Sequence, residues 1–187
     1  MMEGNDLITG KPSIEIRLLT ERDAIDFWRI RLRALLEEPS AFSASYEEAV
    51  SKPTDDIVAL LREQWSMPDN YILGSFKNEL LTGMVGFTRE QRAKLKHKGN
   101  IWGMYIAPEA RGYGVGRMLI AEVVRRSEAL EGLEQIGLTV TSGNIPAKKL
   151  YENLGFRSYG VEKRALKIGL AYFDDVFMVL PIRTEFV

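Results

Sequence analysis

The residues best suited to chemistry lie in one glycine-rich turn, which runs from Arg111 to Arg117 and reads Arg-Gly-Tyr-Gly-Val-Gly-Arg. The turn connects a strand-like run, residues 101–107, to an amphipathic segment. The first N–H groups of a helix have no intrahelical partner, and the helix dipole makes that end mildly positive. Because glycine has no side chain to block a close approach, a phosphate can rest on the backbone itself. The turn predicts an anion-binding cradle; a turn that only permits tight strand–helix packing is the alternative.

Three glycine-rich patterns compete for this turn. A Walker loop begun at Gly112 needs a second glycine where the chain has Arg117, and no Lys-Ser/Thr pair follows. This excludes a P-loop kinase or phosphatase. A dinucleotide fingerprint starts with Gly112 and Gly114 but also meets Arg117 in place of its third glycine. The pattern R-x-x-G-x-G is filled completely, by Arg111, Gly114 and Gly116.

A second motif follows about 30 residues later. Leu138-Thr139-Val140 alternates like a strand, and the chain then reads Asn144-x-x-Ala147-x-x-Leu150-Tyr151-x-x-x-Gly155-Phe156. In this order and spacing, the two motifs resemble the GNAT superfamily of acyl-CoA-dependent N-acyltransferases. The resemblance covers roughly residues 14 to 182. It is specific for the fold and the cofactor, and it does not specify the acceptor.

The resemblance implies which residues bind coenzyme A. In the family the R-x-x-G-x-G loop binds the pyrophosphate, and the strand before it separates from the next strand so that the pantetheine arm enters the gap. Asn144 is expected to cap the following helix and to bond the pantetheine or the backbone. The implied cofactor-binding residues are Met104, Tyr105 and Ile106, through main-chain groups, and Arg111, Gly112, Gly114, Val115, Gly116, Arg117 and Asn144.

Tyr151 is the catalytic candidate that the resemblance implies. The expected reaction moves an acetyl group from acetyl-CoA to a primary amine by direct attack, and the enzyme must then protonate the leaving thiolate. The family places a tyrosine hydroxyl here, aimed at the thioester sulfur. A phenol with a pKa near 10 is protonated at neutral pH and can donate that proton. The alternative is a core aromatic that packs with Ala147, Leu150 and Leu154.

The sequence does not identify a general base. The strands 101–107 and 138–141 contain no acidic residue. A chain of water molecules is an equal alternative to a carboxylate. The remaining carboxylate candidates on nearby loops and strand ends, each also readable as a surface residue, are Glu47, Glu48, Glu90, Asp174 and Asp175.

Two functions from different classes fit these residues. The first is an N-acetyltransferase whose acceptor is a small amine, antibiotic, amino acid, polyamine or peptide N-terminus. The second is a non-catalytic acyl-CoA-binding sensor. The absence of acidic residues from the strands 101–107 and 138–141 is compatible with a sensor, whereas the presence of Tyr151 argues against it. Trp28, Trp65 and Trp102 are expected in the core or a groove wall. The resemblance implies that the N-terminal helical region, which contains Trp28 and Phe42, helps to shape the acceptor pocket.

Composition narrows the setting of this chemistry. The 187 residues have a net charge of −1, no cysteine and one histidine, His97. There is therefore no global electrostatic attraction to nucleic acid or to an anionic membrane, and no metal site built from cysteine or several histidines is expected. The absence of cysteine and of a hydrophobic signal core favours the cytoplasm. The oligomeric state stays open, a homodimer included.

Hydrophobic periodicity predicts the elements that would position the motifs. Ile14, Ile16 and Leu18 alternate as a first strand. Thr20 begins a helix that runs to about Glu37, and Pro53 opens another that ends near Trp65. Residues 71–76 and 80–88 form a hairpin around Asn78-Glu79. The predicted later elements are a strand at 101–107, a helix after the cradle, a strand at 136–140, a short helix between Pro146 and Gly155, and strands near 157–167 and 171–181.

These elements define an α/β fold class. The resemblance implies a GNAT-like acyl-CoA N-acyltransferase fold, with a central mixed β-sheet of about seven strands flanked by about four helices. We expect a flexible leader over residues 1–13 and a single N-acetyltransferase domain over residues 14–187.

Overall fold

The protein is described by a computed structural model that covers residues 13–182, without the side chains of Gln64 and Trp65. The expected leader therefore lies almost wholly outside the described residues. The strands are β1 (Ile14–Leu18), β2 (Tyr71–Lys77), β3 (Leu80–Arg89), β4 (Lys98–Ile106), β5 (Gln135–Thr141), β6 (Arg157–Ile168) and β7 (Ala171–Pro181). The α-helices are α1 (Ala24–Glu37), α2 (Tyr46–Val50), α3 (Thr54–Ser66), α4 (Val115–Glu128) and α5 (Ile145–Glu152).

All seven strands form one sheet in the order β1-β2-β3-β4-β5-β7-β6. Only the central pair, β4 and β5, is parallel; every other neighbouring pair is antiparallel. The predicted hairpin is confirmed, because β2 and β3 are joined at Asn78 and Glu79, which have φ angles of 50° and 64°. This is the mirror-image turn geometry that matches the twist of two strands. The predicted class, a mixed seven-stranded sheet with helices, is also confirmed.

Helices cover both faces of the sheet and bury two separate cores. Side chains of β2 alternate between them: Leu73 enters the core beneath α4, and Ile72 enters the core beneath α1 and α3. This alternation follows from the two-residue repeat of a strand. In the first core Leu119, Ile120 and Val123 of α4 are fully buried, as the apolar stripe of that segment predicts.

Two element predictions need correction. The short helix α2 was not predicted, because five residues span little more than one turn and show no resolvable period. Ser45 caps it by accepting a hydrogen bond from the Glu48 amide. The strand β4 begins at Lys98 and not at residue 101, because Lys98, Gly99 and Asn100 pair with β5, and Gly99 and Asn100 also pair with β3. The segment 92–98, which is rich in lysine and arginine, therefore ends inside the sheet.

The start of α1 is fixed by a charged cluster. Asp23 is buried, and Arg17 donates two hydrogen bonds to its carboxylate at 2.9 and 2.7 Å. The amide and hydroxyl of Thr20 also donate to Asp23. The Arg17 guanidinium is the main cause that lowers the pKa of Asp23 to about 2. The cluster ties β1 to α1.

We expect Asp23→Asn to lower the free energy of unfolding by about 1–3 kcal/mol at pH 7, since it weakens charged hydrogen bonds at a buried group. The folded-state pKa lies below the unfolded value of about 3.9, so the contribution is present above pH 4 and is lost as the pH falls toward 2. Urea unfolding at several pH values tests this. Asp26→Asn, in an exposed pair with Arg29, is the control and should change stability by less than about 1 kcal/mol. An Asp23 effect that persists undiminished at pH 2 would contradict this account.

Candidate active site

The site is built where the two parallel strands part. β4 and β5 pair over only four positions, from Lys98 with Gln135 to Ile101 with Leu138. Beyond Ile101 the strands diverge, while β5 stays paired with β7 as far as Thr141. The family resemblance predicts this separation, and the pairing confirms it. The backbone of β4 from residue 102 onward therefore has an edge with no strand partner on the β5 side.

A bulge in β4 strengthens the divergence. Trp102 pairs with Gly86 and Tyr105 pairs with Met84, so that Gly103 and Met104 together face the single residue Val85. Gly103 has a φ of 65°, a left-handed conformation that favours glycine. An extra residue of this kind bends its strand and increases the local twist. The bulge thus turns the end of β4 away from β5.

The gap between the strands is a cavity of about 820 Å³. Its wall contains all eleven residues that the sequence singled out, ten as cofactor-binding and Tyr151 as catalytic. They come from β4, the glycine-rich turn, the start of α4 and the helix α5. The structure brings together residues that are up to 47 positions apart in sequence, from Met104 to Tyr151.

The glycine-rich turn presents unpaired amides to this cavity. Within residues 13–182, none of the backbone N–H groups from Gly112 to Arg117 has an acceptor of standard hydrogen-bond geometry, and the first intrahelical bond of α4 comes from Met118. Gly112 and Gly114 have φ angles of 82° and 77°. A Cβ on either would meet no atom within 4 Å. The turn is therefore an open, polar cradle at a helix N-terminus, a suitable site for an anion.

Gly116 is a glycine for a different reason. A Cβ there would lie 3.0 Å from Leu150 Cδ2 and 3.4 Å from Met104 Cε. The first turn of α4 thus packs closely on α5 and β4, and the absence of a side chain permits this. Val115, one residue earlier, is buried in the core and anchors the same turn. The tight-packing interpretation of the motif therefore applies to Gly116, whereas the open-cradle interpretation applies to Gly112 and Gly114.

The two arginines of the turn are not equivalent. Arg111 Nε donates to the carbonyl oxygen of Ile106 at 2.9 Å, and its Nη2 is 3.1 Å from a carboxylate oxygen of Glu38. Arg111 is thus engaged in holding the turn to the end of β4. Arg117 lies on the cavity wall, is exposed, and has no ion pair within the described part of the chain. Arg117 is the cation of this turn that can pair with a ligand without first losing a protein partner.

The helix α5 carries the second motif. The Asn144 side-chain oxygen accepts a hydrogen bond from the Ala147 amide at 3.2 Å, which confirms the predicted N-cap. Pro146 follows in the first turn, where a missing N–H costs nothing. The cap fixes the residue at which α5 starts. It therefore also determines that Tyr151, seven positions after Asn144, lines the cavity. The backbone amide of Asn144 donates to the Thr141 carbonyl at 2.9 Å, whereas its side-chain nitrogen Nδ2 has no partner within the described residues.

Tyr151 lies deep in the cavity wall. Only 5% of its surface is exposed, and its ring packs edge-on against Phe156 with centroids 5.8 Å apart. Its hydroxyl has no hydrogen-bond partner among the described residues and is not sealed from solvent. Burial raises the pKa of Tyr151 to about 12. The phenol therefore keeps its proton at neutral pH and directs a free O–H donor at the cavity.

The five carboxylates suggested as general bases do not line this cavity. Glu90 lies at the opposite end of β4, and Asp174 is paired with Lys163 at 2.8 Å. Asp175 faces Thr141 across the β5–β7 pair, and burial is the main cause that raises its pKa. Glu47 and Glu48 lie on α2.

Glu38, which sequence reasoning did not propose as a site residue, is the one carboxylate on the cavity wall within residues 13–182. It follows the last residue of α1. Nearby, the Thr141 hydroxyl donates to the Ser40 carbonyl at 2.5 Å and ties the end of β5 to the same segment. The only sequence signal was the position of Glu38 just before Pro39, where a helix must end.

The comparisons with known proteins agree with this geometry. The model of the acetyltransferase (GNAT) family matches residues 33–156, more than half of the chain. The chain therefore belongs to the acetyltransferase (GNAT) family. It is 29% identical over 164 residues to the mycothiol acetyltransferase of Brachybacterium faecium, covering 84% of this chain and 46% of that protein. It is 31% identical to the Thermobispora bispora enzyme of the same name, covering 64% of this chain and 40% of that protein. The chain thus spans about half the length of these relatives, or less.

Solved structures show the same fold. A GNAT-family acetyltransferase from Streptococcus pneumoniae is 25% identical and superposes with a TM-score of 0.83, covering 91% of this chain and all of that one. The yncA structure from Salmonella typhimurium, which contains its cofactor acetyl-CoA, superposes with a TM-score of 0.81 at 19% identity, covering 94% of this chain and 97% of that chain.

Two searches of the described residues were negative. No helix between residues 13 and 182 has the length and apolar character needed to cross a membrane. In the same range, no three His, Asp or Glu side chains are grouped so that they could hold a metal ion.

We expect Gly114→Val to weaken acetyl-CoA binding at least about tenfold, a loss of roughly 1.4 kcal/mol, because a branched side chain would occupy the open cradle. Its φ of 77° also makes any side chain strained. Gly169→Val separates strain from obstruction: Gly169 has a φ of 58°, equally open surroundings and a place in the distant β6–β7 turn. Calorimetry with acetyl-CoA and thermal melts of both variants provide the test. Equal affinity of the two folded variants would remove the cradle assignment.

Proposed function

We propose that this chain is an N-acetyltransferase that transfers the acetyl group of acetyl-CoA to a primary amine in a ternary complex. The observation that carries the proposal is the open gap between β4 and β5, with unpaired amides at one end and the free hydroxyl of Tyr151 in its wall. The family membership and the acetyl-CoA-containing structural neighbour support it. The mycothiol acetyltransferases also support acetyl transfer, although the match covers less than half of their length. The acceptor named for them is therefore not part of this proposal.

The cofactor would be held mainly by backbone groups. The amides of residues 112–117 would bind the pyrophosphate, and Arg117 would add its unpaired positive charge. The unpartnered edge of β4 at Met104, Tyr105 and Ile106 would bond the pantetheine arm in the way that a missing strand would. Asn144 would offer its free side-chain nitrogen Nδ2 to the same arm. Arg111 would keep the turn in place through its bond to Ile106.

The chemistry needs little from the protein because a thioester is already activated. The amine nitrogen forms a bond to the carbonyl carbon, and backbone N–H groups of β4 would stabilise the negative oxygen. The carbon–sulfur bond then breaks, the nitrogen loses its surplus proton to solvent, and the sulfur takes a proton from the hydroxyl of Tyr151, which regains one from solvent. The products are the N-acetylated amine and free coenzyme A. We assign deprotonation of the entering ammonium to water, because Glu38 is paired with Arg111.

We further propose that residues 14–187 act as one cytoplasmic catalytic domain. All the described strands belong to one continuous sheet, and the chain contains no cysteine that could form a disulfide bond in an oxidising compartment.

A panel of primary amines incubated with acetyl-CoA, with free coenzyme A measured over time, tests the activity. Release that depends on both protein and amine supports the enzyme. Tight acetyl-CoA binding without release from any amine supports the alternative, a non-catalytic acyl-CoA sensor. Tyr151 favours the enzyme, because a sensor has no use for a buried proton donor directed at the cavity.

For Tyr151→Phe we expect kcat to fall by roughly 10²- to 10⁴-fold, the usual range for a positioned acid, with acetyl-CoA affinity and melting temperature nearly unchanged. Tyr71→Phe is the matched control, because Tyr71 is also buried but its hydroxyl donates to the Val123 carbonyl outside the cavity. Steady-state kinetics and thermal melts of both variants decide. A drop below about threefold in a natively folded Tyr151→Phe protein would leave Tyr151 a packing residue, provided that product release does not limit the wild type.

Because backbone donors can polarise the carbonyl, we expect the reaction to proceed without a divalent metal ion. Activity should be unchanged after dialysis against a chelator. Loss of activity that zinc or magnesium restores would contradict this mechanism.

A further inference from the structure

A second cavity, of about 370 Å³, lies beside the main one. It is enclosed by α1, α2, α3 and β4, and Trp102 belongs to the walls of both cavities. Most of its lining is aromatic or aliphatic, with Phe27, Trp28, Leu35 and Leu60 among its members. No part of the proposed cofactor site extends into it.

Arg31 gives this cavity an unpaired positive charge. Its Nη1 atom is fully enclosed and has no hydrogen-bond partner within residues 13–182, and the guanidinium has no carboxylate within 4 Å there. Its one favourable contact is the face of the Phe42 ring, 4.6 Å from the guanidinium carbon. Burial lowers the pKa of Arg31. Arg31 as a whole is only partly buried, but an enclosed donor without a partner is costly, so the free Nη1 points to a partner that is not part of the protein.

A second enclosed donor lies in the same wall. The indole Nε1 of Trp102 is fully buried and also has no partner among the described residues. The indole lies flat against Gly86, where a Cβ would come within 2.2 Å of the ring, so its position is fixed by the strand beneath it. Arg31 and Trp102 thus place two unsatisfied donors in the wall of one small cavity.

The other charged groups of the cavity do not neutralise Arg31. Lys52 adds a second cation, with its Nζ 5.9 Å from the Trp28 ring. The one carboxylate in the lining, Glu48, accepts a hydrogen bond from the Ser45 amide at 3.2 Å and is largely exposed. The cavity therefore has an excess of positive charge inside an apolar wall.

Arg31 also stands next to the reaction site. Its Nη1 lies 3.7 Å from the point that a Cβ on Gly103 would occupy, and Gly103 belongs to the β4 bulge that lines the main cavity. A ligand group held at Arg31 would thus lie close to the β4 bulge, which borders the gap where the thioester would lie.

We propose that the acceptor amine carries a carboxylate, and that Arg31 and the indole N–H of Trp102 bind this carboxylate in the second cavity. The proposal rests on the proposed function and names its substrate class: an amino acid or a related amino-carboxylic acid with an apolar side chain. The planar guanidinium matches the two oxygens of a carboxylate, and the aromatic lining suits the apolar part. Polyamines are disfavoured by the two cations.

The first experiment compares acceptors that differ only in the carboxylate. L-Phenylalanine, L-leucine and L-methionine are each paired with their amides, and kcat/KM for acetyl transfer is measured for the wild type and for Arg31→Met. We expect the wild type to prefer at least one acid over its amide by tenfold or more, and the preference to fall to about one in Arg31→Met. Arg29→Met, two residues away on α1 and exposed, removes the same charge and should keep the preference.

The second experiment needs no turnover. Arg31→Met should raise the melting temperature of the free protein, because it removes a partly buried charge with an enclosed, unpaired donor, whereas a purely structural Arg31 predicts a lower one. The same three amino acids and their N-acetyl derivatives, which are the expected products, should stabilise the wild type and not the variant. Inorganic phosphate serves as the competing anion.

The outcomes separate the two proposals. If the acids stabilise the wild type but not Arg31→Met, and no acetyl transfer is found, the carboxylate site is supported and the N-acetyltransferase proposal is rejected. Acetyl transfer to amines with no preference for the acid keeps the enzyme and overturns the carboxylate site. The site is likewise overturned if no acid stabilises the wild type, if the effect persists in Arg31→Met, or if phosphate stabilises as strongly as the acids.

Discussion

The structure depends on the parting of two parallel strands. β4 and β5 hold together for four residue pairs and then separate, although both continue in extended conformation. Backbone groups left without partners are costly when buried, and a free strand edge is normally covered. Here the edge is kept open by features on both sides: the Gly103–Met104 bulge turns β4 away, and the bond from Thr141 to Ser40 fixes β5. The gap is therefore built into the fold, and a ligand that offers its own polar groups completes the sheet.

Unsatisfied polar groups concentrate around this gap. Gly112 and residues 114–117 with their unpaired amides, Tyr151 with its free hydroxyl, and the residues of two of the three enclosed, unpartnered side-chain atoms between residues 13 and 182 all line one of the two cavities. Elsewhere, several charged groups are paired closely, as Arg17 is with Asp23 and Arg126 with Glu122. Enclosed donors that are left without partners reduce the stability of the free protein, and such losses are expected at functional sites. The positions of the unpartnered polar groups therefore indicate where the protein binds ligands, independently of any sequence motif.

Sequence reasoning predicted the elements and the cofactor side well because both depend on local pattern. Apolar periodicity marked α4, Asn144 and Pro146 marked the start of α5, and the glycines marked the cradle. Apart from the missed helix α2 and the start of β4, the failures were in side-chain direction. Arg29, Arg31 and Arg33 alternate along α1, and nothing in their spacing tells that Arg31 alone turns inward without a partner, because that depends on where α2 and β4 pack. Arg111 and Arg117 flank the same turn, yet only tertiary contacts show which one is already engaged.

This contrast has a physical origin. Backbone recognition of a phosphate requires particular φ angles and open space, and these demands appear in the sequence as glycines at fixed positions. Recognition of an acceptor uses side chains from helices that are distant in sequence, and many residue combinations can line a cavity of the same size. An acceptor can therefore change through substitutions on α1 and α2 that leave the strand gap and the cradle untouched. For this reason the matched motifs define a cofactor, whereas the substrate class has to be read from an enclosed and unpaired charge such as that of Arg31.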